Sequence, residues 1–172
     1  LQIERTWAMP NGNTFTIKPI KELVESVISS LHNSAVIVDP FANNSKYGTI
    51  TNDLNPEYDT TYHLDALKFL QQLCSDSADL ILYDPPYSIT QAATLYKSYG
   101  KEKLEINVAN MKYWAECKKE VARICKSSGQ VLSFGWNTNG IGKNRGFEIE
   151  KILIVAHGGS KNDTLCTLER KL

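Results

Sequence analysis

Two consecutive prolines, Pro85 and Pro86, cut off the apolar run Asp79-Leu80-Ile81-Leu82-Tyr83. Such a run reads as a buried strand, and neither proline can donate a ladder hydrogen bond, so the strand must stop at Asp84. Asp84 and Tyr87 are thus carried on a stiff turn at the carboxyl edge of a sheet, where open α/β folds hold their ligands. A plain strand-ending turn with an Asp cap has the same four residues, so the flanking elements must decide between the two readings.

The flanks alternate strands with helices. Apolar residues at Ile20, Leu23, Val24, Val27 and Ile28 follow helical spacing, and Pro19 suits a first helical turn. The helix N-terminus falls just after Thr16 and Lys18, where unpaired N–H groups could seat a carboxylate. Ala35-Val36-Ile37-Val38 is a β-branched strand that ends on Asp39, and Ile50-Thr51-Asn52 ends on Asp53. Tyr62 to Asp65 predicts a strand edge that runs into an amphipathic helix from Ala66 to Leu73, followed by the strand that ends at Asp84. A helix over 113–126, a strand from Gln130 to Phe134 and a loop rich in Gly and Asn come next. Phe147 to Ala156 and Thr164 to Glu169 predict an antiparallel pair joined by a polar connection. Residues 1–14 are expected to be an irregular arm, and 88–112 a mobile or partly helical excursion. The expected fold is one α/β domain over residues 1–172, with a mostly parallel sheet and a C-terminal antiparallel hairpin strand.

Composition narrows the class. Hydrophobic residues make up 42% and charged residues 22%, as in ordinary globular proteins, and no run reaches the roughly 18 apolar residues of a membrane span. The four cysteines are widely spaced, with no paired motif and no adjacent His pair, which favours reduced core thiols, no metal centre and a cytoplasmic setting. Lys+Arg and Asp+Glu both number 19, so a free-standing, strongly basic nucleic-acid binder is disfavoured. A lone His157 in the hairpin loop is not expected to be catalytic.

Asp39, Asp53, Asp65 and Asp84 all close strands or strand edges of one parallel sheet, so they fall on one rim. There they can meet a ligand with a cationic centre, ribose hydroxyls and an exocyclic amine, features that S-adenosylmethionine combines. The tetrapeptide Asp84-Pro85-Pro86-Tyr87, the loop Asp39-Pro40-Phe41-Ala42 and the Lys18-Pro19 helix resemble, in this order, the amino-methyltransferases that act on adenine in DNA, in the permutation called gamma. The chain departs from them in carrying Asn43 and Asn44 where glycines are usual, and in having no segment expected to form a target-recognition domain.

The resemblance implies a Rossmann-like class I methyltransferase fold and transfer of a methyl group from S-adenosylmethionine to the N6 amino group of adenine. DNA is the favoured substrate; RNA, or a catalytically inactive binding subunit, are the alternatives. It implies catalytic roles for Asp84, Pro85, Pro86 and Tyr87, with Asp84 and the Pro85 carbonyl accepting from the amine and Tyr87 stacking on the base. It implies cofactor contacts from Thr16, Lys18, Asp39, Pro40, Phe41, Ala42, Asn43 and Asp53, and from Asp65 with Ala66, although Asp65 equally suits a helix N-cap. Lys97, Lys101, Lys143 and Arg145 are candidates for phosphate contacts, and a second subunit, identical or different, is expected to supply further grip on the nucleic acid.

Overall fold

The computed structural model describes residues 1–98 and 110–172. Alternation along the central strands sends their side chains into two cores, one on each face of the sheet. The elements in order are β1 (Gln2–Trp7), α1 (Lys18–Ser29), β2 (Ile37–Asp39), β3 (Ile50–Thr51), α2 (Ala66–Gln72), β4 (Ala78–Tyr83), α3 (Ile89–Ser98), α4 (Met111–Ile124), β5 (Cys125–Gly135), β6 (Phe147–Ala156) and β7 (Thr164–Lys171). Leu80 and Leu82 of β4 pack with Leu132, Phe134, Leu153 and Val155 under α1. Ile81 and Tyr83, one residue out of phase, pack with Val131 under α2 and α4. The result is a helix–sheet–helix sandwich.

Helix α1 forms because Pro19 lies in its first turn and Ile20, Leu23, Val24 and Val27 share one buried face. Burying each such side chain is worth about 1.5–3 kcal/mol, so this face anchors the helix far more firmly than its propensity does. In α4, Tyr113, Cys117, Val121 and Ile124 form the buried stripe, and Asn110 caps the N-terminus by accepting from the Lys112 N–H.

The strands run in the order β1-β6-β7-β5-β4-β2-β3. Strand β7 is antiparallel to both β5 and β6, and the other pairings are parallel. The expected mostly parallel sheet with a reversed C-terminal strand is therefore present. Among the described residues no helix is long and apolar enough to cross a membrane.

Two expectations need correction, for residues 2–7 and for Tyr62–Asp65. Residues 2–7 are not an irregular arm but an edge strand, paired in parallel with β6 from Gln2↔Lys151 to Trp7↔Ala156. Both of its faces are largely exposed, so backbone pairing makes the strand and no burial alternation marks it in the sequence. His157 locks its end: one ring nitrogen lies 2.8 Å from the Ala8 carbonyl and the other 2.8 Å from Thr164 Oγ1. Of the segment 88–112, Ile89–Ser98 is a helix and α4 starts at Met111, while residues 99–109 lie outside the described residues. The expected strand edge at Tyr62–Asp65 reduces to a single bridge, Asn52↔Tyr62.

Candidate active site

The prolines end β4 as expected, and the turn they form is held from three sides. Gln91 of α3 accepts the Tyr87 N–H at 2.9 Å. The Tyr87 hydroxyl lies 3.4 Å from that of Thr14, and the Tyr87 ring meets Trp136 edge-on at 5.9 Å. Asp84 Oδ1 is buried without a hydrogen-bond partner among the described residues. Burial raises the Asp84 pKa to about 6, against hydrogen bonding from Thr14 and Tyr87 that pulls it down. A buried acceptor with no donor is costly to keep and rare in folded proteins, so it marks a place where a donor is meant to arrive.

Cavities open on both sides of this turn, and Pro85, Pro86 and Tyr87 line both. The first, of about 310 Å³, runs over the ends of β2 and β3. Its walls include Asn11 to Phe15, Pro40 to Asn43, Asp53, Ala66 and Asp84. Asn43 adopts φ 51°, the left-handed conformation that glycine would otherwise provide, so the Asn at this position still allows the tight turn. Its N–H donates to Asp53 Oδ2 at 2.9 Å, and the Asn55 N–H donates to Asp53 Oδ1 at 2.9 Å. Asp53 is thereby fixed in orientation while each oxygen keeps a lone pair for a ligand hydroxyl. Burial raises its pKa, and the backbone bonds partly offset that.

Asp39 lies fully buried behind this cavity, with Oδ1 accepting the Phe41 N–H at 3.2 Å and Oδ2 unpaired among the described residues. Its pKa is pushed well up, first by burial and then, after the opposing Phe41 bond, by the charges of Asp84 and Asp53. Three carboxylates thus crowd one end of the cavity, an environment that favours a cationic ligand.

The second cavity, of about 440 Å³, lies over the ends of β4 and β5. Tyr83, Tyr87, Trp114, Phe134 and Trp136 make it aromatic, and Lys118 and Arg145 add cations. Flat apolar walls with a few polar groups suit a planar heteroaromatic ligand. The ligand would lie against the same proline turn that closes the first cavity.

The structure brings together Pro40, Phe41, Ala42, Asn43, Asp53, Ala66 and the Asp84–Tyr87 turn in the first cavity, and Arg145 in the second. Other candidates lie elsewhere. Thr16 donates to the Asn13 carbonyl and to Asn11 Oδ1, exposed Lys18 faces Glu22 at 4.0 Å, and neither lines the first cavity. Asp65 caps α2 through the Leu67 and Lys68 N–H groups. Its Oδ2 accepts from Tyr113 at 2.7 Å and Tyr96 at 3.1 Å, tying α3 and α4 to α2, so its carboxylate is spent on structure. Lys143 is exposed, Lys97 lies on α3 with its side chain outside the described part, and Lys101 lies outside the described residues.

Sequence reasoning missed Thr14, Gln91, Trp114, Lys118 and Trp136. Trp136 had a readable signal: it follows the strand ending at Gly135, on the same sheet edge as the acids. Gln91, Trp114 and Lys118 sit on helix faces with no motif to distinguish them.

No protein-family model and no curated protein matches the chain. Solved structures match it in fold. The chain aligns over 91% of its length with TrmN from Thermus thermophilus at TM-score 0.59 and 13% identity, covering 49% of that protein, so it spans about half the length of this neighbour. It aligns over 90% of its length with the 1,6-didemethyltoxoflavin-N1-methyltransferase of Burkholderia thailandensis, a structure with bound S-adenosylhomocysteine, at TM-score 0.59 and 10% identity, covering 77% of that chain. With precorrin-6y C5,15-methyltransferase from Geobacter metallireducens the values are 95% of each chain, TM-score 0.60 and 13% identity. The strand order with one reversed strand and these superpositions agree: the chain has the Rossmann-like fold of the methyltransferases.

Proposed function

We propose that this chain transfers a methyl group from S-adenosylmethionine to the N6 amino group of adenine in DNA. The observation that carries the reading is the Asp84–Tyr87 turn, which bears a buried, unpaired carboxylate oxygen and forms a common wall of two cavities of different chemistry. The fit of the first cavity to S-adenosylmethionine rests on Asp53 for ribose hydroxyls, on the left-handed Asn43 turn, and on three carboxylates near a sulfonium. A neighbour of the same fold that holds S-adenosylhomocysteine supports the same class of ligand. When bound, S-adenosylmethionine supplies an electrophilic methyl group whose S–C bonding electrons return to sulfur.

The chain's own residues deal with a poor nucleophile, because the adenine amino lone pair is delocalised into the ring. Asp84 and the Pro85 carbonyl accept from its two N–H bonds and draw the nitrogen towards tetrahedral geometry, which localises the lone pair for the new N–C bond. Acceptors fixed in advance by the proline turn need no reorganisation in the transition state. The proton released from the methylated nitrogen leaves through Asp84, whose pKa of about 6 makes it a better base than an ordinary carboxylate. Trp136 and Tyr87 line the space in which an extruded base stacks.

RNA is the alternative substrate, since the amine and its ring are the same. The zero net charge offers little phosphate neutralisation, so a second subunit, identical or different, contributes contacts beside exposed Lys143. Labelled methyl transfer to DNA, RNA and protein, followed by nucleoside analysis, tests the reading. Label in N6-methyldeoxyadenosine is the expected result; label confined to another nucleoside or to protein overturns it.

A further inference from the structure

We propose that Lys118, Arg145, Tyr83 and Ser133 form an anion site within the aromatic cavity, which binds a phosphoryl group of the acceptor nucleotide. The proposal rests on the adenine reading above only for the identity of the base; the anion site itself stands on four side chains.

All four line the same cavity. Tyr83 and Ser133 are cross-strand partners on β4 and β5, and they are only 2% and 7% exposed. Yet the Tyr83 hydroxyl and Ser133 Oγ have no hydrogen-bond partner among the described residues. Buried hydroxyls without a partner on two residues of a cavity wall are a cost unless a ligand meets them. Arg145 is close enough to act electrostatically on both Tyr83 and Lys118. Beside two cations, the hydroxyls have their hydrogens to give, so the cluster offers donors and lacks an acceptor.

Charge counting points the same way. The carboxylate that acts on Lys118 is Glu169, and its oxygens already accept the Ile141 and Gly142 N–H groups at 2.6 and 3.0 Å. The anion that acts on Lys118 is therefore already committed to the backbone. Lys118 donates one hydrogen bond to the Gly140 carbonyl, and Arg145 donates through Nη1 to the Ile141 carbonyl and to Asn144 Oδ1, which leaves both with donors to spare. Burial and Arg145 lower the Lys118 pKa, the expected response of a cation awaiting a counter-charge. A phosphoryl group, with several acceptor oxygens and a negative charge, satisfies every open donor at once.

The test uses inorganic phosphate as the probe, titrated at constant ionic strength against chloride and read by tryptophan fluorescence, since Trp114 and Trp136 line the cavity. Saturable binding above the chloride reference is expected, weakened at least tenfold in Arg145→Gln and in Lys118→Gln. Ser133→Ala and Tyr83→Phe should each weaken it several-fold while raising the thermal midpoint of the free protein, because each removes an unpaired buried hydroxyl; neither breaks a native hydrogen bond. No response beyond chloride, or unchanged affinity in all four variants, overturns the site. Adenosine, adenosine monophosphate and a short single strand then locate the source. A gain with the monophosphate assigns the group to the target nucleotide itself, a gain with the strand alone assigns it to a neighbouring phosphate, and no gain from either rejects the proposal. These assays read binding without transfer, so a protein that binds phosphate but does not methylate adenine breaks the adenine reading alone.

Discussion

The two cavities share a wall and little else. The cavity over β2 and β3 is framed by main-chain turns and carboxylates, with Asp84 and Asp53 near enough to raise the pKa of Asp39 behind it after burial has done so first. The cavity over β4 and β5 is framed by aromatic rings and two cations. On the proposed reading, one side takes a positively charged ligand with hydroxyls and the other a flat ring with an anionic group. The contrast explains why the dividing residues must be stiff: Pro85 and Pro86 separate fields of opposite sign while leaving Asp84 within reach of what meets between them. Any exchange of character across this wall should therefore damage one ligand's binding and spare the other's.

Asp84→Ala is expected to give the largest effect, because it removes the group proposed to serve the meeting point of both ligands. Loss of one preorganised electrostatic group commonly costs about 10²- to 10³-fold in rate, and that range is expected for kcat. Binding of S-adenosylhomocysteine, measured by calorimetry, should change little. Asp84→Asn keeps an acceptor oxygen and should retain part of the rate. The same carboxylate also weighs on stability. Its folded pKa, about 6, lies above the ordinary carboxylate value of 3.8, so the folded state binds the proton more tightly. Stability linked to this group is full below about pH 4 and is lost as pH rises through 6, amounting to about 3 kcal/mol at neutral pH. Chemical denaturation at pH 7.5 should thus find Asp84→Asn more stable than the parent, with the gain vanishing near pH 4. Equal stability at both pH values would mean that Asp84 is not held in the buried state described.

The next effect falls on one side only. Asp53→Ala should weaken S-adenosylmethionine binding by about 1.5–3 kcal/mol, the range for hydrogen bonds to charged groups. Affinity for adenosine monophosphate should stay near normal. Trp136→Ala is the mirror experiment: it removes a ring that is 44% exposed and lines the aromatic cavity, and should cost nucleotide binding about 1–3 kcal/mol, the usual worth of a base–aromatic stack. If either substitution weakens both ligands alike, the two cavities are one site and the comparison fails.

The same division governs what could be read in the chain. The acidic cavity is built from short contiguous motifs at strand ends, so its Pro40–Asn43 loop, Asp53 and the Asp84–Tyr87 turn are visible in sequence order. The aromatic cavity gathers Trp114 and Lys118 from α4, Trp136 and Arg145 from the loop after β5, and Tyr83 and Ser133 from strand faces, and of these only Arg145 had been marked. Spacing reveals an amphipathic helix, but not which exposed residue at its rim overlooks a cavity built by another element. Strand β1 was hidden for a related reason: parallel pairing of Gln2–Trp7 with β6 is a backbone event, and its exposed side chains carry no period to detect. Asp65 shows the converse limit. Its place at a strand edge suggested a ligand contact, whereas the helix that follows and the hydroxyls of Tyr96 and Tyr113 claim it.

The smallest effect is also the sharpest test of how the wall is tuned. If Asp84 must be ionised to accept from the amine, methyl transfer should rise with pH and level off above about 6, the value that burial sets for this carboxyl. The Tyr87 hydroxyl hydrogen-bonds to Asp84 and lowers its pKa, as does that of Thr14. Tyr87→Phe keeps the ring against Trp136 and removes only this donor, so the ionised form of Asp84 loses support and the inflection must move to higher pH. The plateau rate above the inflection should fall only modestly, since the stacking surface remains. Thr14→Val should move the inflection in the same direction, and Asp84→Asn should abolish it while some rate persists. A pH profile recorded for the three variants under saturating substrates separates this from a simple loss of packing, which would lower the plateau and leave the inflection where it was. An inflection that stays in place in both hydroxyl variants would show that Asp84 is ionised for reasons other than its neighbours across the wall.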